Sequence, residues 1–517
     1  MIEITGNNLT IQDLVKIARE NEKVKLSESS HKHIHSSYEK LLLLLEKKVP
    51  IYGINTGFGV FANKRISLKE SKQLNRNLIF SHAVATGDPL PEEIVRAAMV
   101  VRINALAKGL SGVNPKIITT LIDMLNLNII PFVPSQGSLG SSGDLCLLAQ
   151  LGLTIMQDRK NSDSESGKVI YKGEVTSGKN AMEKAGIERI EFSNKDGLAL
   201  INGATFSAAI MAICVHDAKN LLTLSTAALC LSLEALCGRL DAFDENIHIA
   251  RNMEGQIEIA SRVRHLITGS TFINSSNQVQ DAYSLRCAPQ VHGAISDTEK
   301  FVRSIILKEI NAATDNPLLC NGDVFLSGGN FHGEPVGLVA DYLSIALSEL
   351  GAISERRIFR LLDQNLNNGL PAMLVDPCAG EGLNSGIMML QYTAAALALE
   401  NQTLAVPDSI KSLPTSANQE DHNSNAYNAA INLSRIVTNV TKILSIELFS
   451  TNRGIELRQM VNPKGQLGIG TQKLFSKIAA EFPYHSNDMQ WGREIEHFYQ
   501  LMLKESVFKQ ELLFVCN

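Results

Sequence analysis

Residues 204–240 read ATFSAAIMAICVHDAKNLLTLSTAALCLSLEALCGRL, a run with few charges and no proline. Apolar residues fall on nearly every face of a 3.6-residue period, so the segment predicts a long helix buried against other helices. Segments of the same kind follow at residues 291–312, 334–363, 385–405 and 424–451. The sequence therefore predicts an all-α fold built as a bundle of long helices.

The first 200 residues have shorter helical segments and more loops than the rest of the chain. Helical spacing at residues 10–50 and 66–127 is broken by loops rich in glycine and proline, and the hairpin pattern at Lys168–Val175 is the only convincing strand signal. We expect residues 1–200 to form a smaller helical and loop region that carries active-site loops. Residues 201–517 are expected to form the bundle core and the C-terminal helices, and the two regions to make one catalytic unit.

Composition narrows the class of protein. The 517 residues are 44% hydrophobic and 20% charged, with a net charge of −5 and no long basic run, which argues against a nucleic-acid partner. No basic and apolar leader opens the chain, and the eight cysteines form no CxxC pair, so a cytoplasmic protein with reduced thiols is expected. The expected partner is a small molecule, with neither nucleic acid nor membrane.

The loop Gly137-Ser-Leu-Gly-Ser-Ser-Gly143, followed by Asp144, permits chemistry of the backbone itself. Attack of the Gly143 nitrogen on the Ser141 carbonyl would close a five-membered ring. Loss of two waters, including the Ser142 hydroxyl, would then leave an exocyclic methylene conjugated to an imidazolone, which is a strong electrophile. Glycine visits the required dihedral angles without a Cβ clash. A flexible turn rich in Gly and Ser is the alternative interpretation.

Other chemistries fit the chain poorly. A phosphate-binding loop would need Gly-Lys-Ser/Thr after the glycines, and a serine-hydrolase elbow would need Gly-x-Ser-x-Gly between a strand and a helix. His31, His33 and His35 lie in a polar segment that is expected to be solvated, so no metal site is predicted.

Several separated motifs agree, in their order along residues 10–450, with one known family. The chain resembles the histidine and aromatic amino acid ammonia-lyases, most closely the histidine-specific members. The resemblance is carried by Tyr52-Gly-Ile-Asn-Thr-Gly-Phe-Gly59, the Gly137–Leu145 loop, Gly197-Leu-Ala-Leu-Ile-Asn-Gly203, Gln280-Asp-Ala-Tyr-Ser-Leu-Arg286, Gly328-Gly-Asn-Phe-His332 and Ser412-Leu-Pro-Thr-Ser-Ala-Asn-Gln-Glu-Asp-His422.

This resemblance implies a fold, a cofactor and a reaction. The family is all-α and usually a homotetramer whose active sites borrow residues from neighbouring subunits. Its electrophile, methylidene-imidazolone, forms autocatalytically from a tripeptide that would here be Ser141-Ser142-Gly143, so no external cofactor is implied. The implied reaction removes ammonia from an α-amino acid, here L-histidine, to give urocanate.

The resemblance also assigns roles to side chains around the electrophile. Tyr52 resembles the family's catalytic base. Arg286 is the expected ligand of the substrate carboxylate, since its planar guanidinium can donate two charge-assisted hydrogen bonds to that group. Asn202, Gln280 and Tyr283 resemble the family's polar contacts around the electrophile and the carboxylate, with Tyr283 among the catalytic residues.

Substrate choice rests on few positions. His82 resembles a pocket residue of the histidine-specific members, and Glu420 stands where phenylalanine and tyrosine enzymes tend to have Gln. A carboxylate suits an imidazole N–H and suits a phenyl ring poorly. Phe331 resembles an aromatic wall of the site, and Met388 is expected either to complete the imidazole pocket or to pack in the core.

Departures from the family pattern keep two alternatives open. Ser141 stands where Ala is usual, and Cys146-Leu-Leu-Ala-Gln150 replaces a segment that usually begins Ala-Pro-Leu. Losing that proline restores a backbone N–H next to the loop. The first alternative is an aromatic amino acid lyase or aminomutase with a related substrate, and the second is a helical scaffold or binding protein without catalysis.

Overall fold

The computed structural model describes residues 1–47, 50–157, 160–321 and 324–503. Residues 504–517, the end of the predicted bundle region, lie outside this description.

Helices dominate the described residues, which confirms the all-α prediction. The helices are α1 Ile11–Arg19, α2 Glu28–Glu46, α3 Ser71–His82, α4 Glu92–Ala107, α5 Pro115–Asn126, α6 Leu145–Ile155, α7 Gly178–Ala185, α8 Asp196–Ile201, α9 Thr205–Ala235, α10 Glu245–Arg251, α11 Glu254–Leu266, α12 Tyr283–Arg286, α13 Ala288–Glu309, α14 Glu334–Leu362, α15 Met388–Leu404, α16 Ala426–Val461, α17 Ile469–Glu481 and α18 Trp491–Leu503.

The five long helices predicted from the sequence correspond to α9, α13, α14, α15 and α16. Only α16 departs clearly from its predicted bounds, since it continues past residue 451 to Val461. Ile455 and Leu457 are buried and carry the apolar face of α16 beyond Gly454. A single glycine inside a helix lowers its stability by about 1 kcal/mol, which this packing offsets.

Strands are short and few among the described residues. They are β1 Ile2–Ile4, β2 Val24–Leu26, β3 Thr86–Pro89, β4 Ile130–Pro131, β5 Pro134–Gln136, β6 Lys168–Tyr171, β7 Glu174–Ser177, β8 Leu318–Cys320 and β9 Val324–Leu326. The predicted hairpin is β6–β7, with Tyr171 opposite Glu174, and β4 joins it as a third strand. The other pairs are β1 with β2 in parallel, and β3 with β5 and β8 with β9 antiparallel. Segments this short carry too few residues to show a strand period.

The chain forms two compact units. The first consists of residues 1–216, 302–341 and 407–431, and it contains α1 to α8 and all the strands named above. At its centre α4 packs against α1, α2 and α5, and nearly the whole helix is buried. The second unit consists of residues 217–301, 342–406 and 432 onward. The predicted division near residue 200 separates a region rich in loops from a region of long helices, and it stays a prediction.

Helix α14 is the one helix among the described residues that is long and apolar enough to cross a membrane. Of its most apolar window, 67% is buried inside the protein, as in the core helix of a globular fold.

Candidate active site

A cavity of about 1150 Å³ opens in the first unit. It is lined by most of the side chains that the sequence places in a site. Among its lining residues are Tyr52, His82, Ser141, Ser142, Asn202, Phe331 and Glu420. Loops and helix ends that are far apart in the sequence supply these side chains. Gly143 follows Ser142 in the chain.

The Tyr52 loop is held in one shape by its neighbours. Ile51 and Ile54 are buried in an apolar cluster with residues of α2. Asn55 Oδ1 accepts the Ile51 N–H at 2.7 Å, and Tyr52 Oη accepts the Gly59 N–H at 3.2 Å. Asn55 is itself buried and stabilises the backbone of this loop.

Asp144 anchors the loop between β5 and α6. Its carboxylate is fully buried and accepts hydrogen bonds from Ser138 Oγ at 2.7 Å, Ser207 N at 2.9 Å and Ser207 Oγ at 3.0 Å. Burial raises the pKa of Asp144, and these donors oppose that shift by stabilising the ionised form. The loop is therefore tied at both ends, to its own residue 138 and to the first turn of α9.

Other segments of the backbone pack closely against the same loop at its glycines. Gly143 has a φ of +87°, and a Cβ on it would lie 2.2 Å from the backbone of Gly203. A Cβ on Gly140 would lie 2.9 Å from Ala426, and one on Gly333 would lie 2.5 Å from the Gly140 oxygen. Only glycine fits such a cradle, since any side chain would force the backbones apart.

Ser142 is contacted at both of its oxygens. Its carbonyl oxygen accepts hydrogen bonds from Asn202 Nδ2 at 2.7 Å and from the Gly203 N–H at 3.4 Å. Its hydroxyl donates to Glu420 Oε1 at 2.9 Å. Two donors aimed at one carbonyl oxygen form the kind of arrangement that stabilises developing negative charge. Asn202 Oδ1 is buried without a hydrogen-bond partner among the described residues, so it remains available to a ligand.

The residues that depart from the family pattern are accommodated in this structure. Ser141 is buried, and its Oγ accepts the Ser424 N–H at 3.0 Å. Leu147, where proline is usual, donates its N–H to the Asp144 carbonyl at 3.2 Å, which satisfies the donor that proline would lack. Cys146 is buried beside the loop, and burial raises the pKa of its thiol to about 11, so the thiol is protonated at neutral pH.

His82 and Glu420 face the same cavity from different elements. His82 ends α3, and its Nδ1 lies 2.9 Å from the Leu78 carbonyl, which can only accept. In the tautomer that satisfies this carbonyl, the neutral ring carries its proton on Nδ1 and offers Nε2 as an acceptor. Burial lowers the pKa of His82, and the charge of Glu420 partly opposes that shift. Glu420 is held by Thr415, whose Oγ1 donates to its Oε2 at 3.1 Å.

Four predicted site residues belong to the second unit. They are Gln280, Tyr283, Arg286 and Met388. Tyr283 is 70% exposed, and the Arg286 guanidinium lies 4.6 Å from the centre of its ring. Arg286 Nε has no hydrogen-bond partner among the described residues. Their place in the proposed site stays a prediction.

Sequence reasoning missed several residues that shape the site. Thr415 and Ser424 orient Glu420 and Ser141, and Arg102 donates to the Asn202 carbonyl from helix α4. The available signal for Arg102 was that two arginines, Arg96 and Arg102, interrupt the apolar stretch of α4. Asn330, beside Phe331, donates from Nδ2 to the Ala313 carbonyl at 3.3 Å.

The tripeptide Ser141-Ser142-Gly143 fits a methylidene-imidazolone by its surroundings. The Gly143 backbone has room only for a glycine, the Ser142 carbonyl has two donors, and its hydroxyl faces the cavity side chain Glu420. These features hold the three residues where the ring would have to form.

Known proteins match this chain over its whole length. The family model described as aromatic amino acid lyase matches residues 9–480. A relative named histidine ammonia-lyase, from Caldanaerobacter subterraneus subsp. tengcongensis, is 47% identical over 518 aligned positions, covering 99% of this chain and 98% of that protein. Histidine ammonia-lyase 2 of Fusobacterium nucleatum is 43% identical, covering 100% of this chain and 98% of the relative.

Solved structures agree with this match. Histidine ammonia-lyase from Trypanosoma cruzi superposes with a TM-score of 0.89 at 32% identity, covering 99% of this chain and 95% of that one. Tyrosine aminomutase from Streptomyces globisporus superposes with a TM-score of 0.91 at 31% identity, covering 99% of this chain and 98% of that one. The shared fold thus includes proteins named for elimination and proteins named for amino-group migration.

Proposed function

The chain belongs to the aromatic amino acid lyase family, and we propose that it eliminates ammonia from L-histidine to give urocanate. The observation that carries this proposal is one cavity that holds both Ser142, with two donors on its carbonyl oxygen, and the pair His82 and Glu420. The curated relatives named histidine ammonia-lyase, at 43–47% identity over nearly the whole chain, support the same activity.

The imidazole ring is recognised by His82 and Glu420. His82 Nε2 can accept from an imidazole N–H, and the Glu420 carboxylate can accept from the other ring nitrogen when that nitrogen is protonated. A phenyl ring offers no donor to His82 Nε2 and none to Glu420 beyond those that Ser142 and Thr415 already supply, so it would be bound less favourably than imidazole. This pair therefore selects imidazole over phenyl.

The electrophile is proposed to be methylidene-imidazolone, made from Ser141-Ser142-Gly143 without an external cofactor. When formed, it supplies a carbon that accepts electrons at the former Ser142 side chain. Asn202 Nδ2 and the Gly203 N–H donate to the Ser142 carbonyl oxygen in this structure, and the same donors would stabilise negative charge on that oxygen. The glycine cradle around Gly143 supports this assignment, since it holds the tripeptide in a bent conformation.

Tyr52 is proposed to take the β-proton of the substrate. Its phenol lines the cavity, and the Gly59 N–H donates to its oxygen, a contact that supports negative charge on that atom. A general base contributes about 10²–10⁴ to a rate, so Tyr52 can act only together with the electrophile. Phe331 lines the same cavity and limits the access of water.

The assembly is proposed to be a homotetramer in the cytoplasm, with sites shared between subunits. Gln280, Tyr283 and Arg286 would then be supplied by a neighbouring subunit, with Arg286 binding the substrate carboxylate. Support comes from the exposure of Tyr283 and from Arg286 Nε, which has no partner among the described residues of this chain. Met388 is proposed to border the imidazole pocket.

A test of sharing uses two inactive variants. Mixed tetramers of Tyr52→Phe and Arg286→Ala subunits should regain a fraction of wild-type turnover if the two residues act across a subunit boundary. Mixtures as inactive as the parent variants, with exchange of subunits verified by native mass spectrometry, would contradict the sharing.

An aminomutase is the second candidate, because the superposed structures include tyrosine aminomutase. Incubation of the purified protein with L-histidine separates the possibilities. We expect one ammonia for each conjugated imidazole acrylate formed, followed by its absorbance, and far slower turnover of L-phenylalanine. A β-amino acid product would favour the aminomutase. Absence of any histidine product from a protein that turns over another aromatic amino acid would overturn the substrate.

A further inference from the structure

Arg102 is a buried cation without a role in the reaction described so far. It lies in the middle of α4, its side chain is fully buried, and its chain neighbours Val101 and Ile103 are buried apolar residues. Arginine is almost never buried to this extent unless it is paired, because a desolvated charge is costly. Its position therefore requires a compensating interaction.

The guanidinium directs its donors at uncharged groups. Nη1 donates to the Asn202 carbonyl oxygen, and Nη2 donates to Thr314 Oγ1 at 3.2 Å. Nε has no hydrogen-bond partner among the described residues. Burial lowers the pKa of Arg102 to about 10, so the group keeps its charge at neutral pH.

The nearby acids neutralise this charge only in part. Asp315 is buried in a direct ion pair with Lys195. Glu309 also acts on Arg102 through space, but burial raises the pKa of Glu309 to about 7, so it is only partly ionised at neutral pH. Neither acid forms an ion pair with Arg102 among the described residues, so the charged Nη1 meets the Asn202 carbonyl oxygen without a carboxylate in direct contact.

The Asn202 carbonyl is one end of a peptide unit whose other end is the Gly203 N–H. That N–H donates to the Ser142 carbonyl oxygen at 3.4 Å. A cation bound at the oxygen of a peptide draws electron density along the amide and strengthens its N–H as a donor. Arg102, the peptide unit and the Ser142 oxygen thus form a continuous series of contacts.

We propose that Arg102 polarises the Asn202–Gly203 peptide, so that the Gly203 N–H stabilises negative charge on the Ser142 carbonyl oxygen while the electrophile is formed and used. Arg102 is a positioning residue in this account, since it acts through the peptide. The inference rests on the proposed function, because only a ring built on Ser142 brings charge to that oxygen.

The two waters lost during ring formation differ in where charge develops. In the first, the Gly143 nitrogen bonds to the Ser141 carbonyl carbon, and that carbonyl oxygen leaves with the hydrogens of the Gly143 and Ser142 nitrogens. In the second, the Ser142 Cα–H proton departs, its electron pair moves toward the Ser142 carbonyl oxygen, and the Ser142 hydroxyl then leaves as hydroxide. Proton and hydroxide make the second water. Only this second step places charge opposite the Gly203 N–H.

Three variants of the full-length protein test the assignment. Arg102→Gln removes the charge, and Arg102→Lys keeps it. Arg96→Gln is the matched control, because Arg96 is a second buried arginine of α4 whose donors go to the Ile17 and Leu125 carbonyls. Intact masses are followed at intervals after induction, beside the ring absorbance, the thermal melting of each protein and its turnover of L-histidine.

We expect Arg102→Gln to accumulate a species lighter by one water and to lose the second water more slowly. Because Arg102 acts through a peptide, the slowing should be roughly tenfold, below the ~10²–10³ typical of removing a direct oxyanion donor. The same variant should lower kcat for L-histidine more than it changes KM. Arg102→Lys should mature within roughly threefold of the wild-type rate, since the charge is kept.

The outcomes separate this inference from the proposed function. A wild-type protein that never loses water would overturn both. A wild-type protein lighter by two waters, together with Arg102→Gln maturing and turning over like Arg96→Gln, would overturn the role of Arg102 alone. If Arg102→Gln yields no folded protein, Arg102→Met carries the test, because it removes the charge and the donor to the Asn202 carbonyl and leaves no unpaired polar group in their place. An unchanged second dehydration in that variant would overturn the inference.

Discussion

Arg357 in the second unit and Arg102 in the first are both fully buried, but their charges are compensated in different ways. In the second unit Arg357 and Glu447 are fully buried and paired, with Arg357 Nε and Nη2 at 2.5 and 2.8 Å from the two carboxylate oxygens. Ser232 and Ser354 donate to the same carboxylate at 2.7 and 2.5 Å. In the first unit Arg102 has no direct carboxylate partner among the residues that the structure describes, and it donates to the Asn202 carbonyl.

The contrast separates a charge that holds the fold from a charge that serves a site. A buried carboxylate with four donors is internally neutral and satisfied, so its field does not reach far. A buried guanidinium with uncharged partners keeps its field and is stabilised less. Breaking the Arg357–Glu447 pair should therefore lower the free energy of unfolding. Changing Arg102 or the Ser142 loop that it supports should instead lower the rate of the reaction.

The largest expected effect is the loss of chemistry without a loss of fold. Ser142→Ala removes the hydroxyl whose departure creates the methylene, so turnover should fall by at least about 10⁴-fold, a large part of a typical enzyme's acceleration. The unfolding free energy should change by less than about 1 kcal/mol, since within the described part of the chain the Ser142 hydroxyl makes one hydrogen bond, to Glu420.

Ser141→Ala is the matched control for that prediction. It removes the neighbouring hydroxyl and the contact with Ser424, but it leaves every atom of the proposed ring closure in place. Turnover of the control should stay within roughly tenfold of wild type. Near-normal turnover of Ser142→Ala would contradict a backbone-derived electrophile.

Glu447→Gln should show the opposite pattern in the second unit. Breaking a buried pair on one side leaves Arg357 charged and uncompensated, which costs about 3–5 kcal/mol. Urea denaturation should report this loss of unfolding free energy. The folded fraction should still lose two waters and turn over L-histidine at a normal rate per folded subunit. A stable Glu447→Gln protein with impaired ring formation would reverse the comparison.

Glu420→Gln tests selectivity within the first unit. Losing the charged acceptor should lower kcat/KM for L-histidine by about 10- to 100-fold, the cost of one hydrogen bond to a charged group. Residual turnover of L-phenylalanine should change far less. Steady-state kinetics on both amino acids provide the measurement, and equal losses for the two would argue against a role in binding imidazole.

The smallest expected effect is the pH response of His82. Burial lowers its pKa below the ordinary 6.5, so the ring is neutral at pH 7 and gains a proton only in more acidic solution. The unfolded chain binds that proton first, so the contribution of His82 to stability is complete above about pH 6.5 and is lost as the pH falls.

Activity should also fall as the pH falls, because a protonated His82 no longer accepts a hydrogen bond from the substrate. kcat/KM should fall on the acid side, below about pH 6.5. The His82→Asn variant should have a kcat/KM lower by roughly tenfold. Its pH profile of kcat/KM should lack the decrease at acid pH that protonation of His82 causes. An identical acid limb in wild type and variant would assign that limb to another group.

Sequence reasoning could identify the long helices and most of the cavity, for different reasons. The helices follow from local apolar periodicity, which the long helix α9 shows clearly. Tyr52, Ser142 and Glu420 stand in short motifs that resemble a family. The role of Arg102 could not be assigned, since its contact with Asn202 joins residues 100 positions apart, and an arginine in an apolar helix does not by itself identify the group it contacts.

Two further limits have physical causes. The strands of two or three residues are stabilised by pairing with distant segments and have no period of their own. The role of Asn55 could not be assigned from the sequence, because a polar side chain in a glycine-rich loop can bond either the backbone or a ligand. In the structure Asn55 Oδ1 accepts the Ile51 N–H at 2.7 Å.

The mass of the purified wild-type subunit tests the central claim most directly. High-resolution intact-mass spectrometry, followed by fragmentation of the peptide that contains Ser141-Ser142-Gly143, should show a chain lighter than its sequence by two waters, with the loss confined to those three residues. A chain with the full sequence mass, in a preparation that turns over L-histidine, would contradict the backbone-derived electrophile.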